Sequence, residues 1–445
     1  MVEDNSGTLR TVAWSELCPW LSLVRVFRLA ISFRLLLLAA AGVVVMAVGW
    51  WLFGWVFSAD ENAVRWMGPL RGHPLAAIVS AVPDHPGWST GKLPPPPDDT
   101  PAVSPGAAPP PAMPTEPDAE GFFTTAGAGD PNPLTRAWGL LSQPLRVIFS
   151  REIGLAGLAC ALLTGLWTVA VWAFFGGAIT RIVAVQLACE ERVSISAALR
   201  FACRKWLAYF AAPLFPLIGA VLAAVPMFPL GLVLRADFGV LLMAFLWPLF
   251  LVLGLLMALL LLGVLFGWPL MWSTISTEGT DSFDALSRSY AYVFQRPLHY
   301  LFYLIVAGVL GVLGWLLVSQ FAAGVVGLAY WATSWGGGGP RLGSIASGAG
   351  LTGMAAVGAG LIHFWAGCVK LLATGFVFSY FWTAAAAIYF LLRRQVDATE
   401  MDEVFLEEQE QSYGLPPLKT DSAGAPMVDE PGEAAPDAEK PSDQE

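Results

Sequence analysis

Two residues invite a chemical reading because of where they sit. His363 and Lys370 lie inside the last long apolar stretch of the chain. They are seven residues apart, which on an α-helix leaves them about 20° from alignment on one face. Ionisable groups within a membrane helix point to function by default, because burying them is costly. A histidine and a lysine on one face form a polar track of the kind that lines a substrate or proton path. No aspartate or glutamate is evident within the apolar stretches to complete a proton relay. The same pair therefore also reads as a packing histidine and a snorkelling lysine.

Other residues of chemical type do not assemble into a centre. Asp281, Ser282, Asp284 and Ser287 offer oxygen ligands, but without the alternating pattern and final glutamate of a calcium loop. Neither serine has a neighbouring histidine. Cys18, Cys160, Cys189, Cys203 and Cys368 form no CxxC pair, and His73, His85, His299 and His363 are scattered, so metal-ligand spacing is missing. The run Gly336–Gly339 has the composition of a phosphate loop but not its order or its lysine, and reads as a flexible loop. There is no GxSxG elbow, HExxH motif or Walker A. The expectation is a protein that is not an enzyme and binds no metal or cofactor.

The elements that must position these residues are dictated by hydrophobicity. Of 445 residues, 56% are hydrophobic and 13% charged, against about 25% charged in a soluble domain. Six apolar stretches, at about 35–57, 153–176, 207–231, 238–270, 298–325 and within 354–392, are long enough to cross a bilayer. The predicted fold is all-α: a polytopic transmembrane helix bundle of about six spans, with interfacial amphipathic helices and a disordered acidic C-terminal tail.

The stretches divide the chain into four parts. Residues 1–58 hold an amphipathic element and the first span. Within 13–33, Arg25 and Arg28 share one face, while Leu21, Val24 and Phe27 line another. That pattern suits a helix on the membrane surface, or an extension of the first span. Residues 59–133 form a proline-rich loop, predicted to be largely disordered, since proline removes donors and fixes φ. Residues 134–392 start with an interfacial helix expected to break near Pro144, then carry five spans. Two polar segments lie between these spans. One, at 179–206, carries Arg181, Arg192, Arg200, Arg204 and Lys205; the other, at 276–297, opens with Thr280 or Asp281 as a helix cap. Residues 393–445 are a tail with 15 acids and four bases. The segments 191–210 and 279–303 are loosely alike, a match that duplication or shared membrane-interface chemistry would each produce.

Basic residues set the expected orientation. Placing Arg25, Arg28, Arg34, the 179–206 group, Arg393 and Arg394 inside gives six crossings and both termini in the cytoplasm. Arg136, Arg146 and Arg151 then fall on the outer side, against the rule. The expected partners are the lipid bilayer and proteins that dock on the cytoplasmic amphipathic helices and acidic tail. Nucleic acid is not expected, because an acidic tail repels it. The functional expectation is a scaffold, assembly or envelope-organising role; the rival is a transporter or permease subunit using His363 and Lys370.

The segments GTDSFDALSRSYAYVFQRPLHYLFY (279–303) and WAFFGGAITRIVAVQLACEERVSISAALRF (172–201) resemble the uncharacterised polytopic membrane proteins of planctomycete-type bacteria. The resemblance covers the membrane portion and implies an inner-membrane setting. It brings no active residues with it, and the proline-rich insert and acidic tail fall outside it.

Overall fold

In the computed structural model, residues 22–70, 73–79, 132–148, 154–348 and 350–405 are described. Most of the proline-rich loop and of the acidic tail, the segments expected to be disordered, lies outside them. The described chain is all-α. In order, the helices are α1 (Ser22–Ala30), α2 (Phe33–Val56), α3 (Glu61–Val64), a 3-10 turn (Arg65–Leu70), α4 (Pro74–Val79), α5 (Pro133–Ile148), α6 (Leu155–Ala188) and α7 (Ile195–Arg204). They continue with α8 (Trp206–Ala224), α9 (Met227–Val233), α10 (Asp237–Glu278), α11 (Ser282–Gln295), α12 (Pro297–Gly337), α13 (Gly339–Ser347) and α14 (Met354–Val396).

Among the described residues, six helical segments are long and apolar enough to cross a membrane: α2, α6, α8 with α9, α10, α12 and α14. Hydrocarbon cannot satisfy open backbone groups, so such stretches must close their hydrogen bonds within one helix. The helices overrun the apolar windows read from sequence. α10, α12 and α14 have 42, 41 and 43 residues, or about 60 Å at about 1.5 Å per residue. A hydrocarbon core is about 30 Å thick, so these helices tilt or project beyond it.

The core sits toward one end. α14 is buried on all sides from Ala373 to Arg393, while most of its first half is exposed. It packs on α1, α2, α5, α6, α10 and α12. The buried stretches of its neighbours, Val171–Val185 of α6 and Met271–Thr277 of α10, lie alongside. Trp272 stacks on Trp382 with ring centroids 4.5 Å apart, and Trp172 stacks on Phe378 at 4.6 Å. Gly176 makes this possible: a Cβ there would stand 2.9 Å from both Trp272 and Trp382.

Four contacts bring alternate helix ends together. Arg34 at the start of α2 donates to the Val193 carbonyl beyond α6. Lys205, just before α8, donates to the Gly279 carbonyl just after α10. Arg393 near the end of α14 pairs with Glu278 of α10, and Gln395 donates to Tyr303 near the start of α12. The starts of α2, α8 and α12 and the ends of α6, α10 and α14 thus share one end of the bundle, as six alternating passes require.

Several local expectations are corrected. α5 runs unbroken through Pro144, and its Arg136 is 1% exposed. Its guanidinium donates to the Ile78 carbonyl and lies 4.9 Å over the Trp315 ring. The glycine-rich passage is largely helical. Gly336 and Gly337 finish α12, Gly338 turns the chain at φ 78°, and α13 follows at once. α1 is a helix separate from α2; it buries Leu23, Val26 and Ala30, and its Phe27 packs edge-on against Phe376, while Val24 is exposed. At the start of the 59–133 segment, α4 packs on α2 and α14.

Candidate functional site

The richest polar cluster is built around the C-terminal end of α10. Gly279 ends the helix in the left-handed region at φ 65°, and its N–H returns to the Ile275 carbonyl. A helix end leaves carbonyls without helical partners and carries partial negative charge. Two cations from other elements meet this need. Arg181 of α6 donates to the Ser276 carbonyl at 2.7 Å, and Lys205 donates to the Gly279 carbonyl at 2.6 Å. The Arg181 guanidinium also lies 4.2 Å over the Phe201 ring of α7.

Glu278, the last residue of α10, would add unfavourable negative charge at that end if it stood alone. It does not. Tyr389 of α14 donates to Oε1 at 2.6 Å, Arg288 of α11 donates at 2.9 Å, and Arg393 Nε lies 3.4 Å away. Arg288 also faces Asp284, 3.4 Å away on its own helix, and Arg393 donates to the Glu403 carbonyl. Burial pushes the Arg288 guanidinium down, but the Glu278 and Asp284 carboxylates outweigh it and raise its pKa. Beside this network Tyr292 donates to Asp397, with burial, then that contact, pushing the phenol up.

A second layer is made of hydroxyls. Ser276 Oγ lies 2.6 Å from Thr180 Oγ1 and 2.8 Å from the Tyr209 hydroxyl. Gly177 lets the Tyr209 ring approach, since a Cβ there would stand 2.9 Å from it. Trp272 Nε1 donates to the Tyr209 carbonyl. Asp281 caps α11 by accepting from the Asp284 N–H at 3.0 Å, one of the two caps expected.

Chemically this arrangement joins helix ends. The Glu278 carboxylate is engaged by three side chains from two helices, α11 and α14, and Ser276 joins the Thr180 and Tyr209 hydroxyls. Among the described residues, no group of three His, Cys, Asp or Glu could hold a metal.

His363 and Lys370 stand apart from this cluster, on the first half of α14. His363 is exposed, with Nε2 3.2 Å from the Ala346 carbonyl of α13. Lys370 is half-buried, and its carbonyl accepts from Thr374. Reading the sequence missed Glu278 as a hub and treated Arg181 and Arg393 only as markers of orientation. The available signal was an acid directly before a glycine stop, closing a long apolar helix through the hydroxyl-rich run STIST.

No protein-family model, no curated protein and no solved structure matches this chain.

Proposed function

We propose that the chain is a multi-pass protein of a bacterial inner membrane, with both termini in the cytoplasm, that serves as a scaffold or assembly platform. The observation that carries this reading is the fastened end of the bundle. There the Glu278 network and the Arg181 and Lys205 contacts tie the short helix α11, and the start of α8 next to α7, to the ends of three spans. Surface helices held this firmly present a fixed outer face, which suits docking more than gating.

Charge supports the orientation. Arg25, Arg28, Arg192, Arg200, Arg204, Arg296 and Arg394 are exposed at that end, as the excess of basic residues on cytoplasmic loops predicts. Arg136, which counted against the rule, is a buried packing group. The chain leaves α14 at this same end, and the acidic residues beyond it supply a second partner surface.

The test is affinity purification from mild detergent with quantitative mass spectrometry, comparing the full chain with one ending at Val404. That endpoint keeps Glu403, which binds Arg393. A specific partner in either sample, lost with the tail or retained by the membrane part, is expected. No specific partner in both would overturn the scaffold role and favour transport through His363 and Lys370.

A further inference from the structure

A cavity of about 530 Å³ is walled by α5, α6, α8 and α10. Its mouth is edged by Leu166, Ile218 and Val221, all exposed, and its far wall is formed by Trp172 and Trp272, each 1% exposed. It therefore leads from the outer surface of the spans to the bundle core. Its walls are almost wholly apolar. Thr168, on the wall, already donates to the Thr164 carbonyl and accepts from Trp50. A buried water needs two to four polar partners, which these walls do not offer. In a membrane the mouth opens onto lipid chains.

Size and the remaining polar group narrow the occupant. At about 30 Å³ per water-sized group, the cavity holds roughly eighteen methylene-sized groups: one acyl chain, not a whole lipid. The Ser142 hydroxyl on the α5 wall is buried without a hydrogen-bond partner, although such groups normally find one. It suits an ester carbonyl. Arg146 lies one turn beyond on the same face of α5 and brings a cation for a phosphate; its guanidinium lies over Trp138 and donates to the Gly139 carbonyl.

We propose that this cavity holds one acyl chain of a phospholipid, with Ser142 donating to the ester carbonyl and Arg146 binding the phosphodiester. α5 leads into the start of α6, so the headgroup lies toward the end of the bundle opposite Glu278. The site is independent of any scaffold role.

The test reconstitutes the full chain in phosphatidylethanolamine and phosphatidylglycerol vesicles doped with a phospholipid carrying a diazirine at its chain end. After irradiation, label is expected on the buried wall residues Trp172, Val264 and Trp272, as well as on exposed lipid-facing residues such as Phe245 and Leu251. Leu217→Trp, which fills the cavity, should abolish the buried label and leave the exposed label unchanged. Label confined to exposed residues in the unmodified chain would overturn the proposal. As a second readout, native mass spectrometry of Ser142→Ala and Arg146→Gln, which leave the cavity open, should show several-fold less retained phospholipid. Undiminished retention in both variants, or extraction of a free fatty acid in place of a phospholipid, would also overturn it.

Discussion

At the scale of single residues, Glu278 is balanced by its neighbours rather than stabilising on its own account. A buried ion pair gains little net energy over a well-packed apolar pair, but removing one partner strands the other charge at a cost of about 3–5 kcal/mol. Glu278 and Arg393 side chains are each only 10% exposed. Glu278→Gln is therefore expected to destabilise the bundle by about 3 kcal/mol, measured by dodecyl sulfate unfolding followed by circular dichroism. The double variant Glu278→Met, Arg393→Met should recover most of that loss, and failure to recover would show that the pair is not the source. Tyr290 gives a pH prediction. Burial pushes its phenol up to about 12, and its hydroxyl donates to the Leu260 carbonyl. The unfolded chain gives up that proton near pH 10, so the folded state binds it more tightly. Its contribution is complete below about pH 10 and is lost as pH rises through about 12. Tyr290→Phe should make the alkaline loss of stability shallower, and an unchanged slope would assign that loss to other groups.

At the scale of elements, close approach governs how α6, α10 and α14 meet. Gly176→Ala would set a Cβ against two indole rings that are themselves stacked, and overpacking of this kind costs about 1–3 kcal/mol. Gly254 of α10 has nothing within 4 Å of a built Cβ. Gly254→Ala should therefore be neutral or stabilise by up to about 1 kcal/mol through helix propensity. Thermal unfolding in detergent distinguishes the two, and equal effects would remove the packing argument. For α11, Asp281→Ala deletes the cap and is expected to cost about 1 kcal/mol. The loss should show as faster amide exchange confined to the first turn, Ser282–Ala285, with the spans unaffected.

At the scale of the whole molecule, alternate helix ends gather into one fastened end, while the opposite ends spread apolar side chains outward. α8, α9 and the first half of α10 carry few buried residues, and Phe228, Phe238 and Phe245 are more than 70% exposed. Such surfaces are stable in lipid and not in water. On the proposed orientation, Cys203 of α7, an exposed cysteine, faces the cytoplasm. A membrane-impermeant maleimide should add label that disappears in Cys203→Ser only after the inner membrane is opened. Labelling of Cys203 in intact cells would invert the topology.

The all-α fold, with six helices among the described residues long and apolar enough to cross a membrane, was legible from sequence because hydrocarbon imposes a local condition: each crossing segment must be apolar and must close its own hydrogen bonds. The Asp281 cap was legible for the same reason, since donor and acceptor are three residues apart. The burial of Arg136, Arg181 and Arg393 was not legible. As residues in a string they look like charges marking a membrane face. Only the fold sets Arg136 against Ile78 and Trp315, Arg181 against the end of α10, and Arg393 against Glu278. The Tyr389–Glu278 bond joins residues 111 apart. A charge in a chain states its cost of burial, whereas the partner that offsets the cost is chosen by packing between distant helices.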